Sequence, residues 1–410
     1  MRKKINLWVE GTGTTDWILR NFFESQPLSY QVNTIIMTDG QAWGGLCDGL
    51  NIFVRAGSPV YRSLPIYLEQ IGIEYIYYID DNFWEIEGNS LLANHYRNAL
   101  VHSTMERFIR GAVIVITSSH YLKEYIESKF DINNVVFCQA PVDIEYIKSI
   151  SNLNNKIEKP PLRIGYAGVP KVNDFTMVWT ALKRIRENYP NVEIEFFGDG
   201  YDEYLNEERV TVIRGLSDLK SYYFNQLSRD WDIGLAPLLD NDFTKSKTEN
   251  KLREYSAMKI AGIYSNIKIY NSHVTDGENG ILADQNADSW YLAIERLINN
   301  SSLREKIVDN AFKYAQENFH FTTVADQWNV AINNVSFRTK VQSKLFSRFI
   351  VQSAFQHVFN KDISSTSLKK LVKFNVKYFC MSYLVKLRNT FVILLLMVIV
   401  FLQVIILLKK

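Results

Sequence analysis

The chain has 410 residues, 47% of them hydrophobic and 22% charged, which is globular composition with enough length for two cores. It excludes a disordered or low-complexity body, and three widely spaced cysteines (Cys47, Cys138, Cys380) exclude a disulfide framework or a structural zinc site. The net charge of +2 conceals a split: residues 337–410 hold 13 Lys/Arg and one acid, Asp362, against 33 Lys/Arg and 43 Asp/Glu in the rest. An acidic body of net −10 therefore precedes a basic tail of net +12, a pattern that suits an anionic surface.

Chain order begins with an apolar run at 5–9, too short for a secretory signal core, followed by a Gly/Thr turn at 11–15 and a helical pattern beyond it. Strands are predicted at 32–37, 75–79, 112–117 and 134–138. A long amphipathic helix is predicted over 91–110, and another helix after residue 120. The polar, proline-ended stretch 151–161 reads as a linker. The strand–glycine turn–helix pattern then restarts: strand segments LRIGYAG (162–168), VEIEFFG (192–198), VTVIRG (210–215), DIGLAPL (232–238) and AGIYSN (261–266), helices through 174–188, 217–228 and 249–259, and three more at 287–299, 302–317 and 322–335. Strands alternating with helices in two series predict an α/β protein of two Rossmann-like, doubly wound domains. The expected division is 1–150, linker 151–161, second domain 162–320, a crossover helix 321–336, a basic amphipathic region 337–390, and a hydrophobic segment 391–408. That last segment has 18 residues with only Gln403 polar. As a helix it spans about 27 Å, close to the roughly 30 Å of a bilayer's hydrocarbon core. Denser positive charge before it than after it places the body on the cytoplasmic side.

Three places carry candidate chemistry. The turn Gly11-Thr12-Gly13-Thr14-Thr15-Asp16 joins a strand to a helix, so its amides can meet an anion or a sugar. Asp16 stands where a dinucleotide fingerprint needs its last glycine, and a plain βα turn is an equal reading. Asp80 and Asp81 follow the strand YIYYI, at the strand end where α/β folds put ligands. They are candidates for a base or hydrogen-bond partner of an acceptor hydroxyl, with a helix-capping role as the alternative. The segment SKTENKLREYSAM (246–258) is the strongest. Ser246-x-x-Glu249 fits a capping box, which predicts a helix starting there and puts Lys247, Lys251 and Glu254 on one face. Two lysines at a helix N-terminus suit a diphosphate, and a carboxylate one turn deeper suits ribose hydroxyls. An ordinary solvated Lys–Glu face has the same spacing.

The blocks LRIGYAGVPKVNDF (162–175), VEIEFFGDG (192–200), VTVIRGLSDLKSYY, DIGLAPL, KTENKLREYSAMKIAGIYSN (247–266) and DGENGILAD (276–284) run in one order, joined in the first half by YIDDNFWEI (78–86). In that order the chain resembles bacterial family-4 retaining glycosyltransferases of the polysaccharide or O-antigen type, over roughly residues 1–335. The resemblance implies a GT-B fold, with sugar transfer from a nucleotide-diphosphate donor bound mainly on the second domain, without a required metal or other cofactor. It implies that Glu254 holds the donor ribose and that Lys251 contacts the diphosphate. Gly168 and Lys171 of the glycine loop, with Lys247, contribute to the donor site, and Gly11, Thr12, Gly13 and Thr14 face the reacting sugar from the other domain. The pattern departs at Ser246, where the family's Glu–seven residues–Glu motif has its first glutamate. It departs again at Val169, where an arginine is frequent, and in the first domain's usual histidine, a role left to Asp80 or Asp81. With the tail, the resemblance implies a lipid-linked or other membrane-held glycan acceptor, an anionic membrane and no nucleic acid as partners, at the cytoplasmic face of a bacterial inner membrane. A sugar-nucleotide epimerase on the same fold and a non-catalytic membrane scaffold are the alternatives.

Overall fold

The computed structural model describes residues 3–11, 13–25, 28–37, 46, 48–88, 91–151, 161–168, 172–214 and 219–335. The basic region 337–390, the hydrophobic segment 391–408, Thr12 and Lys171 lie outside them. Among the described residues no helix is long and apolar enough to cross a membrane.

The first series is β1 (Lys4–Val9), α1 (Thr14–Glu24), β2 (Gln31–Ile36), β3 (Leu50–Val54), α2 (Leu64–Ile71), β4 (Tyr75–Ile79), α3 (Leu91–Tyr96), α4 (Ala99–Gly111), β5 (Ile114–Thr117), α5 (His120–Phe130), β6 (Val135–Phe137) and α6 (Ile144–Ser151). The second is β7 (Leu162–Ala167), α7 (Val172–Asn188), β8 (Val192–Phe197), β9 (Val210–Ile213), α8 (Leu219–Ser228), β10 (Ile233–Ala236), α9 (Asp242–Lys245), α10 (Asn250–Met258), β11 (Ala261–Ser265), α11 (Lys268–Asn271), β12 (Ile281–Ala283), α12 (Ala287–Ile298), α13 (Ser301–Asn318) and α14 (Phe321–Asn333). Two six-stranded sheets result, ordered β2-β1-β3-β4-β5-β6 and β12-β11-β10-β7-β8-β9, with every pairing parallel. Strands β3, β4, β10 and β11 are buried at every position, as parallel strands covered by helices on both faces must be. Strand order turns back on itself between β1 and β3 in the first sheet and between β7 and β10 in the second. At such points the loops diverge and leave a crevice at the carboxyl edge.

Four local expectations change. β3 and α2 are not predicted, although Pro65 in the first turn of α2 and Gly72 at its left-handed C-cap (φ 71°) are ordinary helix boundaries. The helix expected over 91–110 is two helices, because Asn98 leaves the helical conformation and caps α4, accepting from the amide of Leu100 at 2.9 Å. The helix expected to start behind Ser246 starts at Asn250. Asn241 begins the short α9 with its own capping box, Ser246 ends α9, and the Ser246 hydroxyl donates back to the carbonyl of Asp242 at 2.8 Å. From sequence the first unit runs to residue 150. Instead α6 buries Ile144, Ile147 and Ile150 in one cluster with Ala167, Phe197 and Tyr223 of the second unit.

The chain thus passes to the second unit at 139–143. It returns at 319–321, and α14 then packs Phe321, Val324, Trp328 and Ile332 against Ile5, Leu7, Phe22 and Phe23 of the first. The two passages run side by side, with the Val142 amide bonded to the Phe319 carbonyl at 2.9 Å. Trp328 sits at their junction. It packs edge-on to Phe22 and Phe23, stacks on Tyr78, and donates its indole N–H to the Gln139 carbonyl at 2.9 Å. Trp328→Ala is expected to destabilise the first unit by about 3–5 kcal/mol, read as a lower urea midpoint in its unfolding transition.

Candidate active site

In the first crevice, β1 ends at Val9 and the chain turns through Glu10 and Gly11 to Gly13, the N-cap of α1. The Gly13 amide donates to the Asp16 carboxylate, so Asp16 is the inward half of a capping box. That is why a carboxylate stands where a dinucleotide fingerprint has glycine. Gly11, Gly13 and Thr14 are exposed at this helix end.

Opposite them, Arg55 follows β3 with a left-handed backbone (φ 54°). Its Nε and Nη2 grip the Asp80 carboxylate as a fork, with Nη2 2.6 Å from Oδ2. Nη2 also donates to the Thr15 hydroxyl at 3.0 Å, and that hydroxyl donates to Asp80 at 3.1 Å. Burial works against the Arg55 charge, but the Asp80 carboxylate outweighs it and holds the guanidinium above its ordinary range. Asp80 is therefore committed to Arg55 and Thr15. Asp81 has a different partner: its Oδ1 lies 2.9 Å from Nζ of Lys247, across the two units, and its Oδ2 is 3.7 Å from Arg55. Sequence reasoning missed Arg55. A charged residue ending the apolar run LNIFV was the available signal, and it goes unread when β3 itself is not predicted.

Glu10, also missed, points its carboxylate at the amides of Gly57 and Ser58, at 2.8 and 2.7 Å. Burial raises its pKa, with the two amides partly opposing.

In the second crevice, Gly168 leaves β7 with φ 140°. Its carbonyl accepts from the Tyr201 hydroxyl at 2.7 Å and lies so close to Gly198 (φ 153°) that a Cβ there would sit 2.3 Å from it. Both glycines are required for the loop to lie down on the end of β8. Lys251 and Glu254 project from α10. Nζ of Lys251 is 2.5 Å from Glu254 Oε2 and donates to the Tyr222 hydroxyl at 2.9 Å. The Tyr222 ring stacks on Phe197, centroids 5.1 Å apart. Burial pushes the Lys251 pKa down, but the adjacent Glu254 overcomes this and raises it, so the ammonium stays charged.

The structure thus brings Lys251 and Glu254 together and joins Lys247 to Asp81. It does not put Lys247 on the α10 face, because Lys247 lies in the turn before the helix, over the Phe243 ring. Ser246 is fully buried: its hydroxyl accepts from Asn82 at 3.2 Å, and its carbonyl accepts from the Ser119 hydroxyl at 2.7 Å. This position seals the two units together and is closed to a ligand. Among the described residues no group of three or more His, Cys, Asp and Glu side chains is arranged to hold a metal ion.

Residues 161–300 match the family model for glycosyl transferases, group 1. The matched stretch contains Gly168, Lys171, Lys247, Lys251 and Glu254. No curated protein matches the chain. Among solved structures, HepE of Anabaena, in complex with UDP and glucose, superposes with a TM-score of 0.58 at 14% identity, covering 82% of this chain and 100% of that one. Sucrose-phosphate synthase of Thermosynechococcus elongatus gives 0.58 at 13%, covering 81% and 98%. TarM of S. aureus gives 0.53 at 15%, covering 70% of this chain; the chain spans about half, 55%, of TarM's own length. These likenesses show the fold, two facing parallel α/β units of the GT-B type.

The raised pKa of Glu10 means that the folded state holds its proton to higher pH than the unfolded chain does. Its contribution to stability therefore falls as pH rises above the ordinary glutamate range. Glu10→Gln, which keeps an acceptor for both amides, is expected to be more stable than wild type at pH 8. That advantage should disappear near pH 4, as read from urea midpoints at the two pH values.

Proposed function

We propose that the chain is a glycosyltransferase that moves a sugar from a nucleotide-diphosphate sugar to a membrane-held acceptor. The observation that carries this is the Lys251–Glu254 pair on α10, beside the crevice opened by Gly168, inside the stretch that matches the glycosyl transferases group 1 model. A half-buried ammonium with a carboxylate at its side is suited to a ribosyl diphosphate, since the cation meets phosphate oxygens and the carboxylate accepts hydroxyl protons. In a substrate complex the diphosphate gains charge as the sugar leaves. Lys251, Lys247, Lys171 and the amides of the Gly168 loop are the groups assigned to meet that charge, with Gly11, Thr12, Gly13 and Thr14 approaching from the first unit. UDP and glucose bound in HepE support this class of donor, and no cofactor or metal ion is assigned to the reaction.

On the acceptor side, Asp81 is the carboxylate assigned to an acceptor hydroxyl. Asp80, gripped by Arg55 and Thr15, holds Arg55 in place. Once the donor diphosphate draws Lys247 away, Asp81 becomes available to the hydroxyl. A retaining outcome is part of the proposal and rests on the family resemblance alone. The basic tail and its apolar run support an acceptor such as a lipid-linked glycan, at the cytoplasmic face of a bacterial inner membrane.

Isothermal titration of the full chain with UDP, GDP and dTDP, and with their sugars, tests the donor assignment. One of them is expected to bind, and Glu254→Ala to weaken it about tenfold or more, roughly 1.4 kcal/mol. Unchanged affinity would return Glu254 to a structural role, and a donor converted without any acceptor would make the protein an epimerase. For the tail, deleting 337–410 is expected to move the protein from the membrane to the soluble fraction. Retention on membranes after that deletion would sink the anchor.

A further inference from the structure

Helix α10 carries two ion pairs, and they lie on opposite sides. At about 100° per residue, Lys251 and Glu254 are centred roughly 150° around the helix from Glu249 and Arg253. The first pair belongs to the candidate donor site. The second is more enclosed, with Glu249 5% and Arg253 4% exposed, and has no place in that site. Arg253 Nε lies 3.2 Å from Glu249 Oε1.

Both partners reach the passage between the units. Arg253 Nη1 donates to the Pro141 carbonyl at 2.8 Å, and the Gln139 side-chain amide donates to Glu249 Oε1 at 2.8 Å. The Gln139 backbone is in turn held by α14, through its amide to the Gln327 side chain (3.0 Å) and its carbonyl to the Trp328 indole (2.9 Å). Val142 is bonded to Phe319 of the return passage. A continuous chain of hydrogen bonds therefore runs from the back of α10 to both segments that join the units. Buried ion pairs are seldom more stabilising than apolar side chains of the same shape, so their use here points to register rather than to stability.

We propose that Glu249 and Arg253 are positioning residues that transmit occupancy of the Lys251–Glu254 site, across the single stretch of α10 that carries both pairs on its two sides, to the two passages, so that nucleotide binding and closure of the cleft form one coupled equilibrium. The proposal rests on Lys251 and Glu254 being the nucleotide site. Coupling of this kind requires one element whose position both sites bias, and α10 is that element.

Hydrogen exchange on the full chain, in parallel runs with UDP, GDP and dTDP, tests it. In wild type, a bound nucleotide is expected to slow exchange about threefold or more at α10 and also at 139–143 and 317–322. In the double substitution Glu249→Gln, Arg253→Met, which removes both charges together, protection of α10 is expected to remain and protection of the passages to vanish. Gln139→Ala cuts the side-chain link while leaving the ion pair whole, and is expected to reduce protection of the passages without loss of binding. Protection of α10 in wild type without any response at the passages overturns the coupling and leaves the functional reading standing. A full response at the passages in both variants also overturns it. Absence of protection anywhere with all three nucleotides overturns the coupling and the functional reading together.

Discussion

A parallel sheet whose strand order turns back on itself has one place where two neighbouring loops must leave in opposite directions, and the candidate site residues of this protein are arranged around two such places. In the first sheet the loops after β1 and β3 part, exposing the start of α1 on one side and Arg55 on the other. In the second they part after β7 and β10, and Gly168 takes a backbone conformation that only glycine adopts readily, to lie against β8. Charged groups at these crevices are each held by a partner: Arg55 by Asp80, Lys251 by Glu254, Glu10 by two amides. A ligand entering here meets groups already oriented, in surroundings where each charge acts more strongly than in water.

The facing crevices are also tied to each other. Lys247 reaches Asp81, Ser246 receives Asn82 and Ser119, and Tyr121 donates to Asp242 at 3.2 Å. All these contacts involve the short α9 and the turn before α10, so the segment that delivers Lys251 and Glu254 to the second crevice is the same one that touches the first unit. Ser246 shows the consequence for sequence comparison. A position given to a long acidic side chain in the resembling family is here a small hydroxyl packed between units, and a glutamate would have no room.

Much of the architecture was legible because its signals are local. Strands such as YIYYI and helices such as α12, capped by Asn286, announce themselves by apolar runs and caps. The pairing of Lys251 with Glu254 follows from helical spacing once α10 is recognised. What escaped depends on partners far away in the chain. β3 is the exception, since its apolar run LNIFV is a local signal that goes unread only because it is short. The true start of α10 is set by Asn241 and by the contacts of Ser246 with the first unit, against a capping box that local sequence favoured. Asp80 and Asp81 look alike in sequence, and their distant partners separate their roles: Arg55 and Thr15 hold the first, Lys247 the second. The place where the chain changes units was hidden for the same reason: α6 has an ordinary apolar stripe, and nothing in it says which sheet it will cover.

The return of α14 to the first unit settles how the molecule bears force. Residue 3 and residue 335 both belong to that unit, and the second unit hangs from it as an insertion, attached by two neighbouring passages. A pull on either end of the described chain therefore closes its mechanical circuit within the first unit and leaves the second unloaded. Whatever residues 336–410 engage, they fix the half that carries Asp80 and Asp81. The half that carries Lys251 and Glu254 is held to it only through the two passages and the cross-unit contacts of α9 and the turn behind it, among the described residues.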